Sequence, residues 1–237
     1  MEWIGEMWRT ATSVQPAAEP VVVWGSAAGV VLALSVPWVW HVVRHLVTIV
    51  HEAGHATAAV LTGRRLDGIR VHTDTSGLTT SWGSARGPGL VLTLLAGYPA
   101  PAVVGLGVAW LVSRGYAVGA LWSLLVLLAL VLLQIRNWYG LLAVLVSAGV
   151  LVAVTGWAST TVQVAAAHVV TWVLLLGAPR AVIELAVRRT RRSSDAGQLA
   201  RLTHVPAPVW VVLFGLVTIA ALALGIHLAL PAVDLLD

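Results

Sequence analysis

The chain has no cysteine and no lysine, a single phenylalanine and few charges of either sign. Without cysteine there is no disulfide, no thiolate zinc site, no iron–sulfur cluster and no cysteine nucleophile, so any metal must rest on His, Asp or Glu. Without lysine all 14 basic residues are arginine, a bias of the kind a GC-rich genome imposes. Charged residues make up 10% of the chain, against about a quarter in a soluble domain. Too few charges remain to cover a soluble surface, and with a mean hydropathy of +0.90 the bilayer is the natural solvent. A pI near 10.6 does not argue for a nucleic-acid partner here. The arginines cluster at the ends of apolar runs, where membrane orientation accounts for them. Residues 1–20 lack the basic start and apolar core of a signal peptide and read as a short N-terminal tail or surface segment.

What is present is a succession of apolar runs near the length, about 20 residues, that a span requires. They cover residues 21–36, 38–62, 88–112, 116–135, 138–156, 161–187 and 208–230. The expected fold is an all-α membrane protein, a polytopic bundle of about seven transmembrane helices forming one domain over 21–230. With the N-terminus inside, Arg64, Arg65, Arg70, Arg86, Arg136, Arg188, Arg189, Arg191, Arg192 and Arg201 fall on the inner side. The outer side keeps Arg114, with Arg44 in the outer half of the second run, as the positive-inside rule asks. The C-terminus, with Asp234 and Asp237, is then outside. Residues 63–87 form the one long polar stretch before the last linker. Within it 68–73 alternates weakly, Thr75-Ser76-Gly77 is turn chemistry and 78–82 is rich in β-formers. A cytoplasmic β-hairpin is expected, with a capping loop as the alternative. Gly25 and Gly29 form a small-xxx-small pair of the kind that packs membrane helices.

The chemistry sits in the second run, at His51-Glu52-Ala53-Gly54-His55. Residues four apart on a helix lie on one face, one turn apart, so two imidazoles can grip one metal. Glu52 is rotated by about 100°, and its carboxylate can reach a water on that metal without being a ligand. Zinc brings the pKa of such a water to about 7; Glu52 can take its proton and return it to a leaving amine. Gly54 would keep the helix surface bare for an approaching substrate backbone. Ionisable residues inside a span are costly and mark function. The bland alternative is a polar helix–helix contact without metal.

This motif in a span, followed by a short β-like segment, resembles the site-2 protease family of intramembrane zinc metalloproteases, and more closely a compact bacterial branch of it. Supporting stretches are Thr62-Gly63-Arg64, Asp74-Thr75-Ser76-Gly77, Gly87-Pro88-Gly89, Ala96-Gly97-Tyr98, Arg136-Asn137, Gly177-Ala178-Pro179-Arg180 and Ser194-Asp195-Ala196, across about residues 40–230. The family's usual Asn-Pro and Leu-Asp-Gly motif is missing. The resemblance implies one Zn2+, a zinc metalloendopeptidase acting on membrane-anchored protein substrates, and an integral protein of a bacterial cell membrane with its site toward the cytoplasm. The rival reading is a non-proteolytic membrane scaffold or metal-binding protein that retains the motif.

A zinc hydrolase of this type needs a third protein ligand. The resemblance implies Asp195, in the linker 188–207. His55 lies nine residues before Arg64, about 13 Å along a helix, so residues 196–203 would have to fold back into the bundle as a short helix. An N-cap role for Asp195 is the alternative. Glu184 is the second choice of ligand, against an ion pair with Arg180 or Arg188. Asn137 could bind a substrate backbone or an oxyanion, or simply cap a loop. His41 and His45 are rotated away from the His51 face. His168 and His227 fall near the outer surface, and His72 and His204 in inner loops. Trp38, Trp40 and Trp157 read as interfacial anchors.

Overall fold

The computed structural model describes residues 2–187 and 193–229. The cluster Arg188, Arg189, Arg191 and Arg192, a Glu184–Arg188 pair, and Asp234 and Asp237 therefore lie outside the described residues. In chain order the elements are α1 Glu2–Thr12, α2 Pro20–Ser35, α3 Pro37–Leu61, β1 Arg65–Val71, β2 Gly77–Trp82, α4 Pro88–Ala96, α5 Pro99–Ser113, α6 Ala117–Leu132, α7 Trp138–Trp157, α8 Thr160–Val187, α9 Asp195–Thr203 and α10 Ala207–Ala229. The protein is thus mostly helical with one small antiparallel sheet.

Each expected apolar run is helical, but seven separate crossings are not established by the lengths of the helices. Three of them, α7, α8 and α10, are each long and apolar enough to span a membrane. The number rises to at most five if two bent pairs each count as one span: α2 with α3, bent by 109°, and α4 with α5, bent by 60°. At 16 residues, α6 is shorter than a span. Proline causes both bends. Val36 is extended ahead of Pro37, the conformation a following proline imposes. Gly97-Tyr98-Pro99 separates α4 from α5, where a proline cannot supply the N–H that would continue the helix. The N-terminal segment contains α1, seated on α6, with the Gln15 side chain accepting from the Val118 N–H at 3.1 Å.

Helix α3 runs through the centre, packed by the hairpin, by α4 and α5, and by α8. The hairpin pairs Val71 with Gly77 and Arg65 with Trp82, with a bulge at Asp67 between Leu66 and Gly68. β1 starts three residues before the expected alternation. Its second edge is covered by the segment between α6 and α7: the Ile69 N–H donates to Gln134 O at 2.8 Å and the Arg136 N–H to Ile69 O at 2.9 Å. The turn follows its sequence signals. The Ser76 hydroxyl and N–H both donate to Asp74 and hold its carboxyl below the usual carboxylate range. Thr75 takes a left-handed φ of 66°, and its carbonyl accepts from Thr48 of α3 at 2.8 Å, which ties the hairpin tip to the motif helix.

Close helix packing does not use Gly25 or Gly29, where a Cβ would meet open space. Gly105 serves instead: a Cβ there would sit 2.9 Å from Leu174 Cβ, so α5 and α8 approach at backbone distance, as small residues allow in membrane bundles. A polar knot joins α2, α3 and α8. Glu184 pairs with Arg44 at 3.0 Å and accepts from the Trp40 indole; Arg180 lies over the Trp40 ring at 4.6 Å and donates to Leu34 O. Arg44 and Glu184 therefore share one level. Arg180 also stands 4.0 Å from Glu184, the within-helix ion pair that the spacing suggests, so two arginines offset a carboxylate that would be costly unpaired inside the bundle.

Candidate metal centre

α3 carries His51, Glu52 and His55 with the one-turn spacing the sequence gives them. The two imidazoles face each other, Nε2 to Nε2 at 3.0 Å. Asp195 completes a triangle, its Oδ2 3.3 Å from each of those nitrogens. Zinc bonds of about 2.0–2.2 Å in tetrahedral geometry separate neighbouring ligand atoms by roughly 3.3–3.5 Å. The three donors therefore match the spacing of three zinc ligands, and one position would stay open. Tautomer supports the same reading: His55 Nδ1 lies 2.7 Å from Thr93 O, so Nδ1 carries the proton and Nε2 offers its lone pair.

Asp195 arrives there through local structure. Ser194, not Asp195, is the N-cap of α9, its hydroxyl accepting from the Gly197 N–H at 3.2 Å. Asp195 is the first helical residue and its side chain is left to point at the histidines. Ala196 and Leu199 are fully buried against Leu94, Val182, Leu185 and Phe214, and burying a leucine contributes roughly 2 kcal/mol. That contact folds α9 back into the bundle.

Glu52 is buried and stands outside the triangle. Its carboxylate accepts from the Thr79 hydroxyl of β2 at 2.6 Å, and the start of β2 lies against it at Gly77. Glu184 is not brought to the centre; Arg44 and Trp40 engage it. His41 stacks edge-on with His45, and His45 meets the Tyr139 hydroxyl at 2.9 Å, away from His51. Asn137 brackets Val71, donating to its carbonyl at 2.7 Å and accepting from its N–H at 3.1 Å. These two bonds pin the end of β1.

Three residues that the sequence singles out, Gly54, Gly97 and Tyr98, have roles at the centre that sequence reasoning did not give them. Gly54 does not leave the helix bare for a substrate. A Cβ there would run into Ala100 and sit 2.7 Å from Ala96 O, so the glycine admits α4 and α5 against the motif. Gly97 lies beside the rings, where a Cβ would overlap His55 and sit 2.7 Å from His51 Cε1. Tyr98 meets the His51 ring edge-on at 4.7 Å and stacks on Phe214 at 5.2 Å. Gly97 and Tyr98 did carry a signal, the Gly-Tyr-Pro interruption of an apolar run, but nothing local says that the break sits against the histidines. Gly97→Ala is expected to push the imidazoles apart and lower zinc affinity about 10- to 100-fold, the range for loss of a supporting contact. Competition with a chromophoric chelator measures it, and unchanged affinity would contradict the packing described.

The Peptidase M50B-like family matches residues 24–225, well over half of the chain and including every residue of the centre. Neither the curated proteins nor the solved structures contain a match. With this match beside an apolar helical bundle and a His-Glu-x-x-His helix, the chain belongs to the Peptidase M50B-like branch of the site-2 protease family, which points to an intramembrane protease.

Proposed function

We propose that the protein is a zinc-dependent intramembrane endopeptidase in which His51, His55 and Asp195 hold one Zn2+ and Glu52 is the general base. The observation that carries this is the triangle of donor atoms 3.0, 3.3 and 3.3 Å apart with a buried carboxylate next to it that is not part of it. Zinc held there would act as a Lewis acid and supply a water with a pKa of about 7. Glu52 takes up a proton from the attacking water and passes it to the departing amine. Thr79 orients that carboxylate by donating to one oxygen, which leaves the other to handle the proton. The buried setting of Glu52 and His55 excludes bulk water and strengthens these charge interactions.

The substrate is read as an extended segment of a membrane-anchored protein. Among the described residues, β2 makes backbone-to-backbone hydrogen bonds only with β1, so its outer edge is open for an added strand. Such a strand would pass beside Glu52, because Thr79 and Gly77 belong to β2. Asn137 enters as a positioning residue that holds β1, and through it β2, in register. Arg65 and Arg70 lie in β1, and Arg64 and Arg86 lie to either side of the hairpin; by the positive-inside rule this supports a cytoplasmic side for this end of the protein.

Metal removal tests the proposal. The purified protein is expected to carry one zinc per chain. Stripping it with a chelator should stop cleavage of a model single-span substrate in liposomes, and added zinc should restore it. Cleavage at the same rate by the metal-free protein would sink the mechanism. Stoichiometric zinc with no cleavage of any single-span substrate would favour a metal-binding scaffold.

A further inference from the structure

At the end of α5 remote from Tyr98, two apolar hollows open on either side of Trp110. The first, about 880 Å³, lies between α1, the end of α5 and the first turns of α6, with Trp8, Trp122 and Val126 in its wall. The second, about 410 Å³, lies between α5 and the end of α10, with Val103, Gly107 and Leu224 in its wall. Both fall within the range of small-molecule sites, about 300–1,000 Å³.

Their arrangement is specific. The turn 114–116, with Gly115 at φ +82°, joins α5 to α6, so both helices run away from it into the bundle. One hollow follows residues 119–126 of α6 and the other residues 103–110 of α5, each about 10 Å of helix. Arg114 lines the first hollow, its guanidinium 5.7 Å over the ring of Trp110, which lines both. Among the described residues that guanidinium makes no hydrogen bond and no ion pair. No residue lining either hollow is acidic, and His227 lines the second. Trp8, Trp110, Tyr116 and Trp122 all line the first hollow, the aromatic composition of a membrane interface.

We propose that this is a phospholipid site: the two hollows take the two acyl chains of one anionic glycerophospholipid, and Arg114 binds its phosphate. A guanidinium with no acidic partner beside an apolar hollow suits an anionic headgroup, because it matches a phosphate at two points. α1 closes the first hollow. It is held there by Gly119, where a Cβ would sit 2.6 Å from Ala11 O, and by the Gln15 bonds to Gly115 and Val118. This gives the N-terminal helix a task that the metal centre does not supply.

The test uses the full chain in detergent, titrated with phosphatidylglycerol or phosphatidylcholine and read by native mass spectrometry. One phosphatidylglycerol per chain is expected to be retained, with at least tenfold preference over phosphatidylcholine. Arg114→Gln should reduce that preference to parity. Gly107→Leu should lower retention of both lipids, because a Cβ at Gly107 meets nothing within 4 Å and the added side chain fills the second hollow without disturbing the fold. Equal retention of the two lipids, indifference to Arg114→Gln, or a dimer of the chain in place of bound lipid would each overturn the proposal. The site lies about 20 Å along α5 from Tyr98, so lipid retention is read independently of zinc and of cleavage.

Discussion

Glu52→Gln is expected to reduce cleavage of a single-span substrate by about 10²- to 10⁴-fold, the usual contribution of a positioned general base, while zinc content stays at one per chain. The geometry separates the two readouts. Glu52 is outside the donor triangle, so its loss removes no metal ligand. Glutamine keeps the shape of the side chain and a carbonyl oxygen that can still accept from Thr79 at the position of the 2.6 Å bond, so β2 stays where it is. What is lost is the capacity to take a proton. Cleavage of reconstituted substrate in liposomes, followed on gels alongside metal analysis of the same sample, decides the matter. Equal rates for wild type and variant would remove Glu52 from the mechanism. Loss of zinc together with activity would instead make it a ligand.

The parts of this centre that were legible in the sequence are those whose geometry is local. Helical spacing alone puts His51 and His55 on one face and Glu52 off it. The hairpin was visible because Asp74, Ser76 and Gly77 carry turn chemistry between β-formers, and the bond from Thr48 to Thr75 O only adds the docking. A folded-back helix after residue 194 was legible as a requirement, since Asp195 could reach His51 in no other way. What the sequence does not display is which distant surfaces meet. Thr79 holds Glu52 from 27 residues away, Asn137 holds Val71 from 66, and Gly97 is small because the imidazoles are there. Arg44 and Glu184 illustrate the same limit. Arg180, one turn away, stands 4.0 Å from Glu184 as helical spacing suggests, but Arg44 comes closer, at 3.0 Å, from a different helix, and nothing local announces that contact. The number of spans is legible only coarsely for a related reason: hydropathy counts 21–36 and 38–62 as two runs, whereas the bend at Pro37 makes α2 and α3 one candidate span, and α6 is shorter than a span.

Asp195→Ala carries the second large effect, a loss of zinc affinity of at least about 100-fold, since outer-shell partners alone cost 10- to 100-fold and Asp195 supplies one of three donors. Two histidines one turn apart leave a site open on two sides, and the carboxylate also provides the only negative charge in the triangle. The comparison that makes the result specific is Glu184→Gln. Glu184 is the other acid the sequence offers as a ligand, but its oxygens face Arg44 and Trp40, so its neutralisation should destabilise the bundle and leave zinc affinity unchanged. Chelator competition on both variants separates them: zinc lost from the Glu184 variant and kept by the Asp195 variant would reverse the assignment. A third variant guards against unfolding of the short helix. Leu199→Ala leaves the carboxylate in place but removes the buried side chain that docks α9, at a cost of about 2–5 kcal/mol for a core leucine. If Asp195 acts as a ligand, Leu199→Ala should weaken zinc binding less than Asp195→Ala and excess zinc should recover it, because metal binding re-docks the helix. No concentration of zinc can replace a missing donor atom, so Asp195→Ala should not recover in the same way.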